Sequence, residues 1–321
     1  MNPESAARRE FFEIHAKSYS RCFGPDPRCR GKIIKAHSIP NARELEALQE
    51  DGHVITVQLR FGKEGPRIEF RPEGRNEATT FRGLCGDHDN AIFGTFDSEE
   101  INVSDERHRF LLAYRAVVRE FYMKARKAFS ITEATRNVDP SDAARFEDTE
   151  AVFAWAFEDA WSFFPVKVEY DRIYLRQAFS DLRSRVVELA CAPPVFAANS
   201  LFGPSEDRVD PKDPVASRRC LTVNVLPLVS GTSVVFSWLP AHQGFAERKL
   251  SGLLSLNACE ARRNWIAKEV LKNCENFAMK PSHFESFRPE KRAAILSFFS
   301  DNIVGPGKDS DSLDLDVFVR G

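Results

Sequence analysis

The sequence predicts an α+β fold with a helical centre, and three observations carry that prediction. The first quarter is rich in Gly, Pro and Arg and holds only short strand-like runs. The middle of the chain places apolar residues at helical spacing. The last third then switches between strand-like and helical periods. At 321 residues the chain is about two domains long, and we divide it into 1–97 and 98–321. A hydrophobic fraction of 43% with a net charge of only −2 excludes a disordered chain. The 27 Phe against 5 Tyr and 4 Trp predict a core packed largely by phenylalanine.

Taken in order, a short helix is expected over 4–19, then strands at Lys32–Lys35, Val54–Leu59, Arg67–Phe70 and Ala78–Phe81, separated by Gly and Pro. Ser104–Phe129 reads as an amphipathic helix, with Phe110, Tyr114, Val117, Val118, Phe121, Ala125 and Phe129 on one face and Ser104 or Asp105 as its cap. A second helix should open at Asp139-Pro140 and run to about Phe164. A third is expected over 169–190, stopped by Pro193-Pro194. "CLTVNVLPLVSGTSVVFSWLP" predicts two strands around a Ser-Gly turn, and the final "LDLDVFVR" another. Between them lie a long helix over about 245–275 and a shorter one after Pro289. The C-terminal part is therefore mixed antiparallel β and helix.

Seven cysteines, unevenly spread, supply the first chemistry. Cys22, Cys29 and Cys85 lie in the first quarter with His88 three residues after the last of them. Clustered Cys and His point to a metal more often than to disulfides where thiols stay reduced. Two thiolates followed by a C-x-x-H knuckle are the four donors that tetrahedral Zn2+ prefers, so a structural zinc ion is expected on Cys22, Cys29, Cys85 and His88. "FGPDPR", with one Gly and two Pro, can fold the wider Cys22–Cys29 interval back on itself. Cys191, Cys220, Cys259 and Cys274 lie in apolar stretches and are read as unliganded core residues.

Around those ligands run "GKIIKAHSIPN" and "FRGLCGDHDNAIF". A strand delivering a His with Ile-Pro soon after it, then a knuckle that opens a helix, resembles the HNH (ββα-metal, His-Me finger) nuclease motif over about residues 20–96. The resemblance implies a zinc-braced ββα-like module, with His37 as general base and Asp89 as ligand of a catalytic Mg2+ or Mn2+ ion beside a scissile phosphate. A neutral imidazole can take a proton from water near pH 7, and a carboxylate-held cation can stabilise the developing charge. The chain departs from the motif at Ala36, Thr80 and Phe93, where the family carries further polar or metal-binding side chains. Asp87, Asn90 and Asp97 are other oxygen donors nearby. The interval from His37 to Cys85 is longer than the motif spans, so an insertion must loop out. His37 has two further readings, as a hydrogen-bonding residue across the hairpin or as a zinc ligand.

Charge is distributed unevenly despite the small net value. Over 107–127 seven basic residues face Glu120 alone, and Arg115, Arg119 and Arg126 project within about 40° of one another on a helix. Such a stripe can track a phosphate backbone. The expectation is therefore a zinc-containing, HNH-like nucleic-acid-binding protein acting as a metal-dependent DNA endonuclease in a mobile-element or defence setting. The alternative is a non-catalytic zinc-binding interaction or sensor module with a degenerate site that docks protein or nucleic acid, and a protein partner or a second copy is a further candidate partner. Hydrolase, dehydrogenase and zincin motifs are absent from the sequence. No apolar run reaches the roughly 18 residues of a membrane span, and the opening residues carry charge where a signal peptide is apolar. A cytoplasmic location without a membrane partner is expected.

Overall fold

The computed structural model describes residues 19–62, 65–135, 143–203, 212, 215, 218–303 and 313–320, and the structural statements below concern these. The helix expected over 4–19 lies outside them except at Tyr19. The fold is mixed α+β: a seven-stranded antiparallel sheet, a separate two-stranded ladder near the N-terminus, and helices packed on both.

The small ladder pairs β1 (Ala36–His37) with β4 (Thr80–Phe81), placing His37 opposite Thr80. Lys32–Lys35 contributes a single bridge, Ile33 to Cys85, instead of the expected strand. Between the two short strands lie a helical turn over residues 41–48 and the hairpin of β2 (His53–Gly62) and β3 (Gly65–Gly74). This is the looped-out insertion, and it does not stand apart. Ile55 of β2 pairs with Met279 of β9 (Phe277–Met279), so the hairpin extends the sheet built by the C-terminal part.

After β4 the chain enters α1 (Gly86–Ser98), whose N-cap is Cys85. Helix α2 (Glu106–Thr135) follows, capped by Asp105, whose Oδ1 accepts from the N–H groups of Arg107 and His108. The second and third expected helices are, over the described residues, one element, α3 (Ala143–Arg176), which runs through Pro165, and the expected opening at Asp139-Pro140 lies outside the described residues. A proline costs an internal helix one hydrogen bond, but Phe163, Val166, Tyr170 and Ile173 keep one buried face on both sides of it. The expected third helix stops there. Residues Arg183–Leu189 form strand β5, in which burial rises toward the alternating Val187 and Leu189.

The sheet order is β3-β2-β9-β6-β7-β8-β5, with β6 (Phe196–Phe202) at its centre, then β7 (Leu221–Leu228) and β8 (Gly231–Trp238) toward the β5 edge. Strands β7 and β8 are the expected hairpin about Ser230-Gly231. Strand β6 was not expected: it is buried on both faces, so its sequence shows no alternation. The long helix expected over 245–275 is two helices, α4 (Gln243–Ser255) and α5 (Cys259–Asn273), broken by extended backbone at Leu256 and Ala258. Helices α6 (Pro281–Glu285) and α7 (Pro289–Ile303) complete the layer.

"LDLDVFVR" is buried but is not a strand. The Asp314 and Asp316 carboxylates accept from the N–H groups of Asp316 and Phe318, replacing a ladder with successive side-chain turns. Leu315, Val317 and Phe318 are buried in the core beneath the sheet. Cys191 and Cys259, expected as unliganded core residues, are joined by a disulfide, and Cys191 is exposed. Bridges of this kind are rare in a reducing cytosol. Cys220 and Cys274 are buried, as expected, and lie outside that disulfide. Among the described residues no helix is long and apolar enough to cross a membrane.

Candidate metal centre

Cys22, Cys29, Cys85 and His88 converge, with one donor atom from each lying within 4.8 Å of every other. Sγ of Cys22 and Sγ of Cys85 each stand 3.3 Å from His88 Nδ1, and the Cys29 and Cys85 sulfurs are 3.6 Å apart. Edges of that length suit a tetrahedron with metal–sulfur bonds of about 2.3 Å and metal–nitrogen bonds of about 2.0 Å. The group could therefore hold a metal ion, and a Cys3His donor set is consistent with structural zinc.

The backbone around the cluster fits the same purpose. N–H groups of Gly24 and Cys85 donate to Cys22 Sγ at 3.4 Å, Gly31 donates to Cys29 Sγ at 3.3 Å, and His88 donates to Cys85 Sγ at 3.4 Å. Three thiolates, a neutral imidazole and a divalent cation sum to one negative charge, which these donors offset. The loop carrying Cys22 is stitched to the loop before α1 by Phe23 N–H to the Gly83 carbonyl at 2.8 Å and Ile34 N–H to the Leu84 carbonyl at 3.0 Å. Burial pushes the Cys22 thiol up to about 11, so a thiolate there needs a cation beside it.

Two glycines complete the cradle, and the sequence reading passed over both. A Cβ at Gly24 would stand 2.6 Å from the His88 ring, and one at Gly31 would stand 2.8 Å from Cys85 Sγ. Each follows its cysteine by two residues, so the signal available in sequence was a repeated Cys-x-Gly, "CFG" and "CRG".

His37 and Asp89 lie elsewhere. Among the described residues the Cys3His cluster is the only convergent group of three or more Cys, His, Asp or Glu donors, and neither His37 nor Asp89 belongs to it. The imidazole Nδ1–H of His37 donates across the ladder to the Ala78 carbonyl at 3.2 Å, leaving Nε2 as the basic nitrogen. The next residue, Thr79, has φ at 58°, a region costly for a β-branched side chain, and its Oγ1 is buried without a hydrogen-bond partner.

Arg115 occupies this neighbourhood. Its guanidinium is 2% exposed, makes contacts of 2.8 Å to both carboxylate oxygens of Asp97, and stacks 4.1 Å over the Phe93 ring. Its charge is felt by three groups at once. Burial holds the His37 imidazole below its ordinary range, and Arg115 lowers it further while Asp97 opposes. Burial raises the Asp89 carboxyl, which Arg115 partly offsets. Glu44, from the inserted turn, is 2% exposed, has an unpartnered Oε2, and is pushed up to about 7 by burial against the pull of its backbone hydrogen bond and of Arg115.

The expected arginine stripe thus loses its first member to the interior. A helix-wheel reading places Arg115 beside the apolar face of α2, but α1 covers that side and pairs the guanidinium with Asp97. Arg119 and Arg126 are half-buried further along α2.

Comparison with protein-family models, curated proteins and solved structures finds no match to this chain.

Proposed function

We propose that the chain is a zinc-stapled, HNH-like protein whose catalytic centre is closed by an internal ion pair, so that its N-terminal segment works as a non-catalytic binding or sensing module. Support for the HNH-like reading comes from the order of parts. A strand carrying His37, an antiparallel partner strand and a helix opened by a metal-ligating Cys85 form a ββα arrangement beside a Cys3His group. Zinc is the ion we assign to that group on donor chemistry.

The observation that carries the non-catalytic reading is Arg115. A catalytic Mg2+ or Mn2+ would have to sit where Asp89 and neighbouring carboxylates can reach it. In this chain a buried guanidinium already supplies positive charge to Asp89, Asp97 and Glu44. Arg115 and Phe93 fill with a stacked pair the position where the motif keeps a further ligand. On this reading nucleic acid, DNA first, is the partner class that the HNH-like arrangement implies, met through Arg119 and Arg126.

One observation favours the second reading, a working endonuclease: His37 is held by Ala78 with Nε2 left as base. Incubating zinc-loaded protein and its His37→Ala variant with supercoiled plasmid and Mg2+ or Mn2+ separates the two. The non-catalytic reading expects no nicking by either. Nicking by wild type that disappears in a His37→Ala protein still holding one zinc would establish the nuclease.

A further inference from the structure

Next to the metal knuckle lies a cavity of about 710 Å³, walled on one side by the loop from Arg21 to Pro27, on the second by Phe121, Ala125 and Phe129 of α2, and on the third by α3. That volume is in the range of small-molecule sites, about 300–1,000 Å³. The α3 wall is a ladder of rings at helical spacing. Phe157 and Trp161 stack at 6.3 Å, Trp161 and Phe164 at 5.9 Å, and the first two of these three rings are more than half exposed. Large exposed rings facing a concave surface are seldom left by folding alone, because moving them out of water is favourable.

The cavity has a polar pole. Lys167, 5% exposed, donates to Asp171 Oδ2 at 2.6 Å and to the Gly24 carbonyl at 3.3 Å, and Asp171 accepts from Tyr114 Oη–H at 2.6 Å. A lysine has three N–H donors, and these two contacts leave a third. Arg21 and Arg172 add positive charge to the lining, which sets three cations against the Asp171 carboxylate and the Cys22 sulfur of the metal group. Glu169, outside the lining, holds Arg172 at 3.0 Å.

We propose that this cavity binds a small anionic amphiphile, its apolar body against Phe129, Phe157 and Trp161 and its carboxylate or sulfonate at Lys167, Arg21 and Arg172. The inference goes beyond the zinc and nuclease readings and holds whichever of them is right, since it requires only the three walls. Cys22 and Gly24 belong both to the cavity wall and to the metal knuckle, so the site is a built-in sensing point for a module of this kind.

Full-length, metal-loaded protein is titrated with 1-anilinonaphthalene-8-sulfonate, which is then displaced with dodecanoate, dodecanol or a twenty-nucleotide oligothymidylate. Saturable binding of one dye per chain is expected, with dodecanoate displacing it about tenfold better than dodecanol, as a charge-assisted head-group contact requires. Ala125→Trp fills the cavity and should abolish dye binding while the metal content and thermal midpoint hold. Ala160→Trp makes the same test from the α3 wall, should the first variant lose its metal. The double variant Arg21→Gln, Arg172→Gln should weaken dodecanoate about fivefold and leave dodecanol unchanged. Absence of saturable dye binding, equal displacement by the acid and the alcohol, or dye binding that survives both Trp substitutions would overturn the proposal. Displacement by the oligonucleotide but not by dodecanoate would overturn it in favour of a single-strand stacking surface.

Discussion

Gly24 stands so close to His88 that a Cβ on it would lie 2.6 Å from the imidazole Cγ and 2.9 Å from Nδ1. His88 and the glycine are 64 positions apart in sequence, yet a side chain at position 24 would have to displace the ring. Gly24→Ala should therefore weaken metal binding by about 10–100-fold, the usual cost of disturbing an outer-shell partner. Gly74→Ala, where nothing lies within 4 Å of the added methyl, should leave it unchanged. Metal content after dialysis against a buffered chelator reads both, and equal retention would remove the argument for a glycine-lined cradle.

Arg115 and Asp97 should behave as a pair. Arg115→Met leaves Asp97, Asp89 and Glu44 without their shared cation and should cost roughly 2–3 kcal/mol. The upper range for broken buried pairs is discounted because Asp97 is a third exposed. Adding Asp97→Leu should recover part of that loss. Urea unfolding of the four proteins of this double-mutant cycle measures the coupling, and additive effects would show that the pair is not a unit.

Glu44 predicts a pH dependence. Its folded carboxyl titrates at about 7, above the ordinary 4.5, because burial opposes its charge. The proton is therefore held more tightly when folded. The stability it contributes is complete below the unfolded value and is lost as pH rises through about 4.5 to 7. Glu44→Gln should flatten that slope and stabilise the protein by roughly 2–3 kcal/mol at pH 8 while changing little at pH 4. A stability difference that does not vary between pH 4 and pH 8 would contradict the assignment.

The Cys191–Cys259 bridge closes a separation of 68 residues and ties the chain after β5 to the first turn of α5. Its removal should lower unfolding stability by about 2–4 kcal/mol, given the entropy it withholds from the unfolded chain. Cys191→Ser compared with wild type, each with and without reductant, gives the value. A reductant effect that persists in Cys191→Ser would come from elsewhere.

How far the sequence reading reached follows from what each residue needed. The four residues of the Cys3His group were legible as a set because donor chemistry and the C-x-x-H interval are local. Their glycines were not, since the clash that requires them exists only after residues 24 and 88 meet. The β7–β8 hairpin was legible from a turn flanked by apolar runs. Strand β6 was hidden by burial on both faces, and "LDLDVFVR" misled because alternation cannot show that Asp314 and Asp316 turn back on their own backbone. Arg115 reads in sequence as the first member of a phosphate-tracking stripe because its position on α2 is visible there and its partner on α1 is not. Pro165 was read as a gap between helices, whereas the buried face on either side of it carries the helix through.

The most direct test of the account is X-ray absorption at the zinc edge of the purified, metal-loaded chain. A closed structural centre predicts a first shell of three sulfurs at about 2.3 Å and one nitrogen at about 2.0 Å, with no oxygen. The same shell should appear in the His37→Ala protein. A shell containing a water or carboxylate oxygen, or one altered by His37→Ala, would contradict a closed Cys22/Cys29/Cys85/His88 staple and return His37 to the metal chemistry.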